Sequence, residues 1–176
     1  MDKSIKSSAL NYGLYLGLAL SLITVIIYAT NLEIFVKWWF GIGLFVLIVV
    51  MGIMSSIKSK QILGGFISFK DAFGSYFLTV LVGTLVSTVV SYIIFNIVDT
   101  DAAKELNEQI LIVTKQSMER FGAPQETINE ALAEAQKTDN FSIGNRLKSF
   151  GISLVIYSIF GLIGSAIIKK NNPDQA

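Results

Sequence analysis

The sequence predicts an all-α integral membrane protein: four transmembrane helices, with an extracytoplasmic helical hairpin between helices three and four. Three observations carry this. Ala72 to Val98 contains no charged residue, whereas a soluble helix of that length needs a solvated face; about 20 apolar residues already cross the hydrocarbon core of a bilayer. The composition is that of a membrane protein, 52% hydrophobic against 15% charged, with a mean hydropathy of +0.60. The one long polar segment, 99–141, lies between apolar runs, and its own apolar residues recur at helical spacing.

The first helix is expected over about 7–29. Lys3 and Lys6 precede it in the manner of a secretory leader, but the apolar run exceeds the about 7 to 15 residues of such a core and no small-residue cleavage pattern follows. It is therefore read as a retained span. Gly13, Gly17 and Ser21 recur every fourth residue, forming a face on which another backbone can approach closely, the usual basis of helix association in lipid. A turn is expected over Thr30–Lys37. Trp38 and Trp39, a pair suited to the headgroup level, open helix two, expected over about 38–57 and ended by Lys58, Ser59 and Lys60.

The connector that follows reads QILGGFISFKD. Gly64 and Gly65 permit a tight bend, and Ser68 with Asp71 fits a capping box for the next helix. Phe66 and Phe69 are too apolar for a solvated loop, so with Lys70 they mark Gly64, Gly65, Phe66, Ser68, Phe69, Lys70 and Asp71 as a candidate cytoplasmic interfacial connector. Helix three, about 72–98, carries Gly83, Ser87 and Ser91 on one stripe with Thr84 and Thr88 beside it. These are candidate packing residues, as are Gly161 and Ser165 in helix four.

From Asp99 to Arg146 nine carboxylates face five basic residues. Leu106, Ile110, Val113, Ser117 and Phe121 make one amphipathic stripe; Ile128, Ala131, Leu132 and Ala135 make a second after Gly122-Ala123-Pro124. Two stripes this small call for support from each other, from the bundle or from a partner. Helix four is expected from Ser142 or Leu147 to Ile168, with Arg146 and Lys148 snorkelling at its mouth. A short frayed tail, Asn171 to Ala176, closes the chain.

Four spans put the N-terminus, the connector and the C-terminus on one side. That side holds seven lysines against three aspartates; the other holds seven basic against ten acidic residues. The positive-inside rule then places both termini in the cytoplasm and 99–146 in the periplasm.

Cysteine and histidine are both absent, which removes disulfides, thiol nucleophiles, imidazole ligands and the usual general base. A net charge of +1 with scattered basic residues excludes a nucleic-acid footprint. Gly64-Gly65 lacks the surroundings of a phosphate loop. Glu126 and Glu130 share a helix face, but no calcium-loop pattern accompanies them. No ionisable residue is expected at membrane depth, which disfavours a coupled transporter. Catalytic, cofactor and metal residues are accordingly all expected to be none.

The segment GGFISFKDAF, Gly64 to Phe73, between a second and a third span, resembles the uncharacterised family DUF4199, small four-helix membrane proteins of Bacteroidetes. The likeness covers the layout of nearly the whole chain. It implies an inner-membrane protein of a Gram-negative bacterium and brings no activity or site residues with it.

The function expected is non-enzymatic: a scaffold or accessory subunit of an envelope membrane complex. Its partners would be membrane lipids and a membrane protein, or a second copy. A small channel or passive transporter, with Thr84 to Ser91 lining the path, is the alternative, and lipid handling through the connector a weaker one.

Overall fold

The computed structural model describes residues 1–170; the expected frayed tail lies outside the described residues. Four helices long and apolar enough to cross a membrane are present. α1 runs Lys3–Thr30, its first turn capped by Asp2, which accepts from the Ser4 amide at 3.1 Å. The expected turn after it contains a 3-10 helix, Leu32–Val36, capped in the same way by Asn31. α2 occupies Trp38–Ile62. It does not stop at Lys58-Ser59-Lys60 as the sequence suggested, because lysine is a good helix former. The chain leaves the helix only where Gly64 and Gly65 take φ of +73° and +94°, a region closed to most side chains.

α3 spans Phe69–Ile93 and is capped by Ser68, whose Oγ accepts from the Asp71 amide at 3.1 Å and donates to Asp71 Oδ2 at 2.8 Å. In the expected capping box the acidic side chain reaches back to an amide; here it reaches back to the capping hydroxyl. The last turn widens into a π-helical turn, Ile94–Val98, closed by the Asp99 amide donating to Ile94 at 2.8 Å. α4 (Thr100–Arg120) and α5 (Gln125–Gln136) follow, joined through Gly122 at φ +73°. α6 runs Ile143–Ile168, capped by Ser142.

α3 is the central rod, packed against α1, α2 and α6. Its closest partner is α1: a methyl on Gly13 would meet Val82 Cβ at 2.8 Å, one on Gly17 would meet Val86 Cβ at 2.7 Å, and one on Gly83 would meet Leu16 at 2.6 Å. Helices this close gain dispersion contacts that lipid chains do not match. Along α2 the outward residues, among them Ile42, Val46, Val50 and Met54, are exposed, as expected of a face turned to lipid.

At the end bearing the connector the chain is laced together. Ile67, 2% exposed, exchanges two backbone hydrogen bonds with Lys170 at 2.9 and 3.0 Å. Lys60 Nζ donates to the Ile168 carbonyl at 2.8 Å, satisfying one of the free acceptors at a helix C-terminus. The N-terminal ammonium lies 3.5 Å from Asp71.

At the opposite end α4 rests on the 3-10 helix and the π turn, and α5 rests on α4. Asp99 makes the joint: its Oδ1 accepts from the Ala102 amide at 2.9 Å and its Oδ2 from the Tyr28 hydroxyl at 2.9 Å. Those bonds, the amide first and the hydroxyl second, hold the Asp99 carboxyl below its ordinary range. Leu106 and Ile128 are buried, but Ser117 is exposed and Phe121 is 89% exposed. The first amphipathic stripe therefore ends before them, because Phe121 already belongs to the turn.

Candidate functional site: a polar cleft beside α6

Deep in the bundle, between its middle and the connector, Tyr76 is 1% exposed and stands between two helices that offer no side chain. A methyl on Gly52 of α2 would meet its ring at 2.6 Å, and one on Gly161 of α6 would collide with the opposite edge. Its hydroxyl donates to the Tyr157 carbonyl at 3.0 Å. Gly164 comes close to Ile53 in the same region. Around Tyr76, α6 is thus seated directly on α2 and α3.

A second group of contacts is polar. The Thr79 hydroxyl donates to the Ala9 carbonyl of α1 at 3.0 Å and lies 2.7 Å from the Ser55 hydroxyl of α2. Ser56 donates to the Ala72 carbonyl at 2.7 Å. Ser55, Ser59, Ser75 and Thr79 are fully buried. Hydroxyls are small and can donate to carbonyls on facing helices, so they let three rods meet closely, although the Ser59 and Ser75 hydroxyls find no partner. The sequence reading takes Ser59 only as part of a helix stop and passes over the others, although the S-S-x-x-S run of 55–59 with Ser75 and Thr79 is readable as such.

Toward the end that carries α4, the seating of α6 fails. Its N-terminal half stands away from α2 and α3 and leaves a cleft of about 480 Å³. Gly41, Leu44 and Ile48 form the α2 wall; Thr84, Ser87, Thr88 and Ser91 the α3 wall; Ser149, Phe150, Ser153 and Tyr157 the α6 wall. A second cavity of about 500 Å³ lies between α1, α3 and α4, with Phe35, Phe95, Leu106, Ile110 and Val113 among its apolar lining. Ser87, Thr88, Ser91, Phe141 and Arg146 belong to both.

Arg146 sits at the start of α6 as expected, but its guanidinium is half-buried and held by the protein. Its Nη1 donates to Ser91 Oγ at 3.0 Å and its Nε to the Phe141 carbonyl at 3.2 Å, its carbon lies 4.9 Å from the centre of the Phe141 ring, and its Nη2 is buried with no partner. The Phe141 carbonyl also accepts from Asn96 of the π turn at 2.9 Å, and its ring lies 5.3 Å from Phe95. The segment before α6 therefore serves as a clamp that draws the guanidinium inward. Lys148, two residues on, is exposed, as a snorkelling lysine would be.

The other singled-out residues divide by position. Gly13, Gly17, Gly83 and Gly161 lie in helix contacts. Ser21 and Ser165 are buried with hydroxyls that find no partner. Ser87 and Ser91, grouped with them as packing residues, instead line the cleft; packing does not reach them because α6 stands off at their level. Of the connector, Phe66 lies under Lys170 Nζ at 5.2 Å, Phe69 stacks on Phe73 at 6.3 Å, and Ser68 and Asp71 are spent on capping. Gly64 has open space around it and Lys70 is exposed.

These features define a multi-pass helical membrane protein whose four-span bundle is sealed around Tyr76 and cleft toward its other end. The chain belongs to the family described as a protein of unknown function, DUF4199, whose model matches residues 11–170. No curated protein and no solved structure matches it.

Proposed function

We propose that this is a non-enzymatic protein of the bacterial inner membrane, an accessory or scaffold subunit of an envelope complex, whose bundle receives a small ligand in the cleft between α2, α3 and α6. One observation carries the ligand: hydroxyls and a guanidinium line a space that a purely structural bundle would close with apolar side chains. Polar groups inside a membrane span are costly to retain without use, and a concave, mainly apolar site with a few convergent polar groups is the usual form of a binding site. The absence of cysteine and histidine from the chain, and a cleft lining with hydroxyls but no base, support a binding role over catalysis.

Filling the space tests it. Ser153→Trp should displace whatever co-purifies with the intact protein, read by native mass spectrometry, while leaving helix content unchanged; a cleft that holds nothing in either form counts against a ligand. The complex itself is tested by mild-detergent purification with and without residues 102–137, since the α4–α5 segment offers the largest polar surface for a neighbour. Loss of partners on deletion supports recognition there, and unchanged partners count against it.

The reading with both termini and the connector in the cytoplasm draws support from the lysines gathered where the N-terminus, Ile67 and Lys170 meet. A conduit is the second reading, favoured by the same hydroxyl wall on Thr84 to Ser91. Its weakness is Tyr76, which fills the way beyond the cleft between Gly52 and Gly161.

A further inference from the structure

We infer that the cleft takes the headgroup of an anionic phospholipid, with its phosphate on Arg146. The inference rests on the reading of the cleft as a ligand site and names its ligand. The first ground is charge. None of the ion pairs among the described residues includes Arg146; the Asp139 carboxylate is near enough to act on its charge but lies beyond ion-pair distance, and it accepts from the Phe141 amide at 2.9 Å. A guanidinium offers five donors in a planar fork matched to phosphate. Here only Nε and Nη1 have partners, and buried Nη2 has none. A half-buried guanidinium with one donor unpaired and no carboxylate in direct contact is incompletely satisfied, and a bound phosphate completes it.

Depth is the second ground. Gly41, on the wall that faces Arg146 across the cleft, lies about 4.5 Å along α2 from Trp38, at 1.5 Å per residue. Trp38 is 78% exposed and marks the headgroup level. Arg146 is equally far into α6 from Ile143. The guanidinium therefore stands near the level of lipid phosphates in the adjoining leaflet. The third ground is the rest of the lining: Ser87 and Thr88 add hydroxyls beside Ser91, and Leu44, Ile48 and Phe150 offer apolar wall to acyl chains. Among the described residues no carboxylate lines either cavity, so the lining itself offers no partner to the cationic half of a zwitterionic headgroup.

The test uses the full chain in detergent, titrated with phosphatidylglycerol, with phosphatidylcholine of the same chains, or with inorganic phosphate, and read by native mass spectrometry. Phosphatidylglycerol should bind at least tenfold more tightly than phosphatidylcholine, and phosphate should neither bind nor compete. Arg146→Gln should erase the preference with little change in thermal unfolding, and Arg146→Lys should keep part of it. If Arg146→Gln does not fold, Ser87→Leu on the same wall must lower phosphatidylglycerol binding instead. Equal binding of both lipids, a preference that survives Arg146→Gln, or competition by inorganic phosphate overturns the inference. In the first two cases the cleft reading still stands if Ser153→Trp expels the lipid; if it expels nothing, that reading falls as well.

Discussion

Tyr76 shows how one side chain can organise three helices. It fills the gap between Gly52 and Gly161 and hydrogen-bonds the backbone of α6, so Tyr76→Ala should lower unfolding stability in detergent by about 3–5 kcal/mol, the range for removing a large buried ring. Gly83→Val drives a side chain into Leu16 and should cost about 1–3 kcal/mol through overpacking. Thr79→Val should cost far less, about 0.6 kcal/mol, the mean for hydrogen bonds between membrane helices. Reversible denaturation of the three variants checks both the sizes and their order. The glycine faces of α1 and α3 were legible because four-residue spacing is visible in any sequence. Tyr76 was not, because a tyrosine within an apolar run reads equally well as facing lipid or filling a core. Arg146 was visible as a cation near a helix start, but the direction of its side chain depends on the fold of the segment at Phe141 and on Ser91, 55 residues away in the chain.

Among the elements, the connector and the start of α4 are the informative ones. Gly65→Ala forces an L side chain to φ +94°, and the penalty, about 1–2 kcal/mol, should appear as a weaker union of connector and Lys170, read by faster amide exchange at Ile67. At the other end Asp99 ties α4 to α1. Its folded carboxyl is held below the ordinary value of 3.8, so the stabilisation is complete above that pH and is lost as the pH falls through the lower folded value. Limited proteolysis of α4 should therefore accelerate on acidification in the native protein. Asp99→Asn should show rapid cleavage already at neutral pH and little further change. The overrun of α2 past Lys58 to Lys60 has a simple cause: charged residues end a membrane span without ending a helix.

At the scale of the whole molecule the bundle is asymmetric, closed where α6 meets Tyr76 and open where it stands away from Ser87 and Ser91. That shape separates a receptor from a conduit. Reconstituted protein should pass no ions or small solutes into liposomes while Tyr76 is in place; flux that disappears in Ser87→Leu would establish the conduit and displace the proposal made here. Sidedness can be measured directly, because the chain has no cysteine. Gln61→Cys and Ser117→Cys are both at exposed positions, whereas Ser59 between the two lysines is buried and would report packing instead of topology. An impermeant reagent should label Ser117→Cys from the periplasm and leave Gln61→Cys untouched.

The sequence by itself determined the four spans, the polar segment between the last two and the glycine faces, because hydrophobicity and spacing act locally and lipid leaves a charged run no other place. Only the tertiary structure decided which hydroxyls are spent between helices and which line an open cleft. α6 is held against α3 through Tyr76 at one level, while Phe141 ties its start to the π turn at another, and no short stretch of chain contains both.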